Sequence, residues 1–242
     1  MPAIQVREGA GVVRIFQLDT CGKADVGDDK MLVLDTISEF GWEDVINDGD
    51  EVTERNFSGA ICYTDTGANE LKNVGINLTS CGINPAIDAF LMGSETIVDG
   101  SSNVTGFGRR NLTAAASVAV EVLILLEADA CDVGSSAAPV ASWIFPLVKN
   151  WKPAGGSTLN GTDLVKPQYS GQNYRSNKFF GDDGTEVPAG LAHWDGVLST
   201  GNAAVADDDW YAFNIFDPSV ETGLAAILAS ASDEPQEFLA VP

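Results

Sequence analysis

From Lys72 to Thr79 apolar and polar residues alternate, with Val74, Ile76 and Leu78 on one side and Asn73, Gly75, Asn77 and Thr79 on the other. A period of two is what a half-buried strand requires, because successive side chains point to opposite faces of a sheet. A strand over 57–64 precedes it, joined through Asp65-Thr66-Gly67-Ala68-Asn69, residue types that tolerate tight turns. A short helix follows. Asn84 suits its cap, Pro85 its first position, and Asp88 lies near the positive end of its dipole. Ile87, Phe90 and Leu91 recur at helical spacing, and Gly93 offers a stop. The stretch 51–93 therefore reads as a meander with one helix, over 84–92, folded onto it.

The same pattern extends the reading along the chain. A strand is expected over 12–18, and residues 31–46 alternate as one long strand. One face of the long strand carries Val33, Asp35, Ile37, Glu39, Gly41 and Glu43, and the other Leu34, Thr36, Ser38, Phe40 and Trp42, so acid and large apolar groups are segregated. Residues 118–126 are aliphatic on nearly both faces, as in a fully buried strand, although the alanines beside them also permit a helix. Pro146 inside the strand 142–151 argues for an edge or a bulge. Residues 209–217 place Tyr211, Phe213 and Ile215 on one side of a strand, and 220–230 is an apolar helical stretch. Between these lie an arm at 1–11, a polar loop at 19–30 too long for a simple hairpin, and a Gly- and Ser-rich loop at 94–111. Residues 152–191, rich in Gly, Ser, Asn and Pro, form either a long excursion with its own hairpin or a small inserted subdomain, and 231–242 is a tail. The expected fold is mainly β: one domain over 1–242, a sandwich or barrel sheet with a single flanking helix, long loops and terminal arms.

Charge changes this picture most. The chain has 13 basic and 35 acidic residues, a net charge of -22, which opposes binding to nucleic acid through phosphate contacts. Among the basic residues, Arg109-Arg110 is the only adjacent pair, and in so acidic a chain it is suited to a neighbour's carboxylates, as are Arg7 and Arg14 near the start. The acidic stretch 47–54 lacks the alternate spacing of a calcium loop and reads as a turn. Cys21, Cys62, Cys81 and Cys131 are far apart in sequence and read as buried thiols made in a reducing cytoplasm. The N-terminus has no basic segment followed by an apolar run, so no signal peptide is expected, and the apolar window 114–126 is too short to cross a bilayer.

Catalytic constellations are missing from the pattern. The single histidine, His193, stands beside Trp194 without a Gly-x-Ser-x-Gly elbow, and neither a phosphate loop nor a dinucleotide fingerprint occurs. Two carboxylates would suffice for a glycosidase, but the five tryptophans are scattered rather than gathered around a cleft. The expectation is a non-enzymatic protein with no cofactor and no metal.

One resemblance adds to this. The Gly-containing N-terminal segment, the long acidic strand, the turn Asn56-Phe57-Ser58-Gly59, the pattern Leu71-x-x-Val74-x-Ile76-x-Leu78, Cys81, and the helix from Asn84-Pro85 to Leu91-Met92-Gly93 follow in a telling order. In that order and texture the first 100 or so residues resemble the major tail (tube) proteins of long-tailed, non-contractile bacteriophages, in particular those of actinobacterial hosts. The resemblance implies a virion subunit, assembled in the host cytoplasm, that stacks as hexameric rings into a hollow tube. DNA would transit the tube without specific binding, and no membrane is involved. Implied partners are further copies of the chain, a tape-measure protein, a tail terminator and baseplate or tail-tip proteins. It also makes the 19–30 loop a candidate contact between rings, and Asp35, Glu39 and Glu43 candidates to line the lumen; a ring-to-ring contact is the alternative placement for these acids. The rival reading of the chain is a monomeric β-sandwich that binds carbohydrate or a cell surface.

Overall fold

The computed structural model describes residues 8–20, 22, 31–34, 36–49, 51–101, 104–108, 117–126, 140–155, 165–175 and 210–216. In chain order the elements are β1 (Glu8–Gln17), β2 (Met31–Leu34), β3 (Ile37–Asn47), β4 (Glu51–Arg55), β5 (Ile61–Thr66), β6 (Glu70–Ser80), α1 (Pro85–Met92), β7 (Glu95–Val98), β8 (Val104–Gly108), β9 (Val118–Leu126), β10 (Val140–Pro153), β11 (Gln168–Asn173) and β12 (Ala212–Phe216). The main sheet runs in the order β2-β1-β9-β10-β11-β6-β3, with β12 paired to β10; β4–β5 and β7–β8 are separate two-stranded hairpins. All these pairings are antiparallel. The protein is mainly β with one helix among the described residues, as the alternation implied.

The two outer strands of the main sheet, β2 and β3, are separated by only two residues of chain. Three Cα steps of about 3.8 Å span at most about 11 Å, so the sheet has to wrap until its ends lie close together. It does not close into a barrel. Cross-layer contacts show the wrapping: Phe40 and Trp42 of β3 stack on Phe145 of β10 at 5.8 and 5.7 Å, although β11 and β6 lie between those strands in the sheet.

The space enclosed is the main core. Val13 and Ile15 of β1, Val74, Ile76 and Leu78 of β6, and Val118, Val120 and Val122 of β9 point into it, and α1 covers it with Ile87 and Leu91. The helix forms where its local signals place it. Asn84 Oδ1 accepts from the Ala86 amide at 2.9 Å, Pro85 opens the first turn, and Gly93 closes the last at φ 61°, a left-handed conformation suited to glycine. Tyr169 of β11 donates its hydroxyl to Asp88 at 2.9 Å, both side chains being buried, and so ties the helix to the sheet.

Several expectations are corrected by the structure. Residues 31–46 are not one strand but two, β2 ending at Leu34 and β3 beginning at Ile37, on opposite margins of the sheet. The first strand begins at Glu8 rather than after an arm ending at 11, because Glu8 and Gly11 already pair with Leu126 and Ile124 of β9. The turn of the β4–β5 hairpin occupies 56–60, where a strand was expected to begin, and most of the expected turn at 47–54 is β3 end and β4. Part of the expected loop 94–111 is the β7–β8 hairpin. Within 152–191, residues 168–173 form β11, an inner strand of the main sheet, so that part of the segment is neither excursion nor insertion. Pro146 is inside the sheet at a bulge: the β9–β10 register shifts between Phe145 and Val148, where β10 also changes its other neighbour from β12 to β11. Cys62 and Cys81 are exposed rather than buried, one on the β4–β5 hairpin and the other just past the end of β6. Cys21 and Cys131, the helical stretch 220–230, the tail 231–242, residues 1–7 of the arm and all but Gly22 of the segment 21–30 lie outside the described residues.

Candidate functional site: a polar sheet face between two charged margins

The sheet segment β10–β11–β6–β3 turns one face to the core and the other outward. Inward go Trp151, Tyr169, Ile76 and Leu78. Strand periodicity then sends the intervening residues out, and the register aligns them in rows. Lys149, Gln172, Gly75 and Glu43 form one row, and Lys152, Ser170, Asn77 and Gly41 the next. A third runs Gln168, Thr79, Glu39. The middle of this face carries only small or amide side chains. Charge sits at its margins, acid on β3 and lysine on β10.

Glu39 and Glu43, two of the three acids expected from sequence to share a face, do lie on it, and both are exposed. Asp35 lies outside the described residues. What the sequence did not announce is the other half of the face, because Gln168, Ser170 and Gln172 belong to the Gly- and Ser-rich stretch that reads as irregular. The alternation Gln-Tyr-Ser-Gly-Gln-Asn was the available signal: Tyr169, Gly171 and Asn173 are the buried set. Asn150, at φ 58°, sits in the β10–β11 bulge and donates to Gln172 Oε1 and Tyr174 Oη at 3.2 Å each, which fixes the lysine margin of the face.

Beside the acid margin, the β4–β5 hairpin leaves the body after β3. Its described side chains, residues 53–64, are all exposed. The tip is nevertheless built with care. Asn56 Oδ1 accepts from the Ser58 and Ala60 amides at 3.0 and 2.9 Å and from the Ser58 hydroxyl at 2.6 Å, Arg55 donates to the Gly59 carbonyl at 3.0 Å, and Gly59 takes φ 82°. That turn holds Phe57 fully out in solvent, with Ile61 and Tyr63 exposed behind it. A lone two-stranded hairpin in water is marginal, so an ordered tip with an exposed aromatic has the form of a docking element.

Arg14 stands apart from its expected role. It is 1% exposed and pairs with Glu121, 0% exposed and directly opposite it on β9, while Ser142 donates to the other oxygen of that carboxylate at 2.8 Å. The guanidinium also lies 5.7 Å from the Phe16 ring. Together with Phe16, Ala119, Leu123 and Ile144, this network occupies the face of β1, β9 and β10 opposite the main core, and that face is buried too. An internal partner therefore replaces the inter-subunit contact expected of Arg14. Arg7, Arg109, Arg110 and His193 lie outside the described residues.

Among the described residues no group of three or more His, Cys, Asp or Glu side chains is placed to hold a metal ion, and no helix is long and apolar enough to cross a membrane.

No family model and no curated protein matches the chain. Among solved structures, it is similar to the tube-terminating cap of the anti-feeding prophage, at TM-score 0.29 and 13% identity over 71% of this chain and 89% of that one. It is also similar to the sheath/tube terminator of an extracellular contractile injection system in the extended state, at TM-score 0.28 and 11% identity over 72% and 96%. Neither likeness reaches the level at which a common function follows.

Proposed function

We propose that the chain is a structural subunit of a phage-type tail, a tube protein whose sheets join edge to edge into rings that stack around a channel. The observation that carries this reading is the outward face of β10–β11–β6–β3: polar across its width, with β3 at one margin paired only to β6 among the described strands, and lysines at the other side. As the wall of a wet bore this face offers amides, hydroxyls and acid over which a phosphate backbone slides without apolar contacts, its cations confined to the β10 margin. The net charge of -22 and the projecting hairpin support the same reading, as does the order of motifs over 51–93 that resembles major tail proteins. With that resemblance come six copies per ring, tape-measure, terminator and tail-tip proteins as partners, DNA in transit, a place in the virion tail after assembly in the host cytoplasm, and no catalysis. Glu39 and Glu43 line the bore in this proposal.

The rival reading, a carbohydrate- or cell-surface-binding module, draws on the exposed rings of Trp42 and Phe213. These meet Trp143 at tilts of 43° and 44°, so the three rings make no common flat platform for a sugar. Negative-stain electron microscopy of the purified chain, with light scattering on the same sample, separates the two. Rings or hollow tubes of regular width are expected. A monodisperse monomer at every concentration, with binding on a glycan panel, would reverse the choice.

A further inference from the structure

The charges in this part of the chain are sorted. Residues 39–54 hold seven acidic side chains and no basic one, whereas 149–178 hold five of the 13 basic side chains and a single acidic one. On the polar face the sorting is geometric, since Glu43 and Lys149 end the same row on opposite margins. Three strand spacings of about 4.8 Å separate them by about 14 Å, more than the screening length of about 8 Å at physiological salt. They do not neutralise each other within one copy.

Neither margin has a second partner among the described strands. β3 pairs only with β6 among the described strands. β9 accompanies β10 only as far as Val148, so 149–153 has β11 on one side and no described strand on the other. The strand directions also agree. β3, β6, β11 and β10 alternate in direction, so β3 and β10 are antiparallel, and a copy added beside the first by rotation about a ring axis meets it as an antiparallel ladder.

The geometry points to a head-to-tail joint between copies of this chain, in which the N-terminal half of β3 in one copy pairs with 149–153 of β10 in the next, with Glu39 and Glu43 set against Lys149 and Lys152. This rests on the ring-forming reading and specifies its contact. Continuing the rows in register places Glu43 opposite Lys149 of the next copy and Glu39 diagonal to Lys152. Opposed Cβ atoms in such a ladder are about 5 Å apart and diagonal ones about 7–8 Å, within reach of glutamate and lysine side chains. The joint also excludes its competitor. Two-fold pairing of β3 with β3 sets acid against acid, so the charges select the heterologous contact, which closes into a ring rather than a dimer.

Two variants test it, both at exposed positions: E39K/E43K, which makes both margins basic, and K149E/K152E, which makes both acidic. Each alone should fold, with an unchanged melting curve, and should need at least about tenfold more protein to assemble than the wild type does. Mixed in equal amounts they should assemble at the wild-type concentration, because alternating copies restore every joint in an even-membered ring. The joint is overturned if either variant alone assembles as the wild type does, or if the mixture of folded variants fails. Failure of the wild type itself to form rings overturns the assembly reading beneath it, and is told apart by being independent of charge.

Discussion

Removing the carboxylate of Glu121 is the sharpest test of the interior. Glu121 and Arg14 face each other across β9 and β1 with 0% and 1% exposure. In Glu121→Ala the guanidinium stays buried without its counter-charge, and breaking a buried pair from one side costs about 3–5 kcal/mol. For a domain of this size each kcal/mol lowers the melting temperature by about 2–4 °C, so the variant should melt about 6–20 °C below the wild type. The assay is thermal unfolding by circular dichroism, checked by urea titration. A companion separates charge from packing. In Arg14→Met/Glu121→Leu/Ser142→Ala the whole network becomes apolar, and stability should return to the wild-type level or exceed it, because the desolvation of both ions is no longer a cost. Melting of Glu121→Ala within about 2 °C of wild type, a shift less than 1 kcal/mol would cause, would refute the burial argument. A triple variant as unstable as Glu121→Ala would refute the assignment of the loss to an unpaired charge.

Two further substitutions probe the face and the hairpin. At Gly171, in the middle of β11, an added Cβ would lie 2.8 Å from Val148 Cγ1 and 2.9 Å from Trp151 Cδ2, so Gly171→Ala should cost about 1–3 kcal/mol and disturb tryptophan fluorescence; an unchanged melt would show that the inner strand is looser than described. Asn56→Ala removes the acceptor that organises the hairpin tip, so amide exchange over 51–66 should accelerate while global melting stays put; unchanged exchange would mean that the turn does not depend on Asn56.

What the sequence made legible is what is encoded locally. The helix needed only Asn84, Pro85 and Gly93, each acting within a turn of its own position, and β6 needed only its alternation. Residues 31–47 show the limit of that logic. Their period of two persists through 35–36, so nothing in the pattern marks where the chain leaves one margin of the sheet for the other. Arg14 fails for a related reason. Set between Val13 and Ile15 it reads as the solvent side of a strand, and its partner is 107 positions away on a strand whose other face is also buried. Half of the polar face was visible in Asn73 to Thr79 and in Glu39 and Glu43. The other half was hidden because β11 is short and rich in Gly, Ser and Gln, residue types that the sheet orders through its neighbours rather than through their own propensity.

A cryo-electron microscopy reconstruction of the assembled particles decides whether this polar face lines a bore, as proposed. A hollow particle is expected, in which Glu39, Asn77, Ser170 and Lys152 face the central channel and β3 of each copy abuts β10 of the next. A particle with that face turned to the outside, or with β3 unpaired at the subunit boundary, would contradict it.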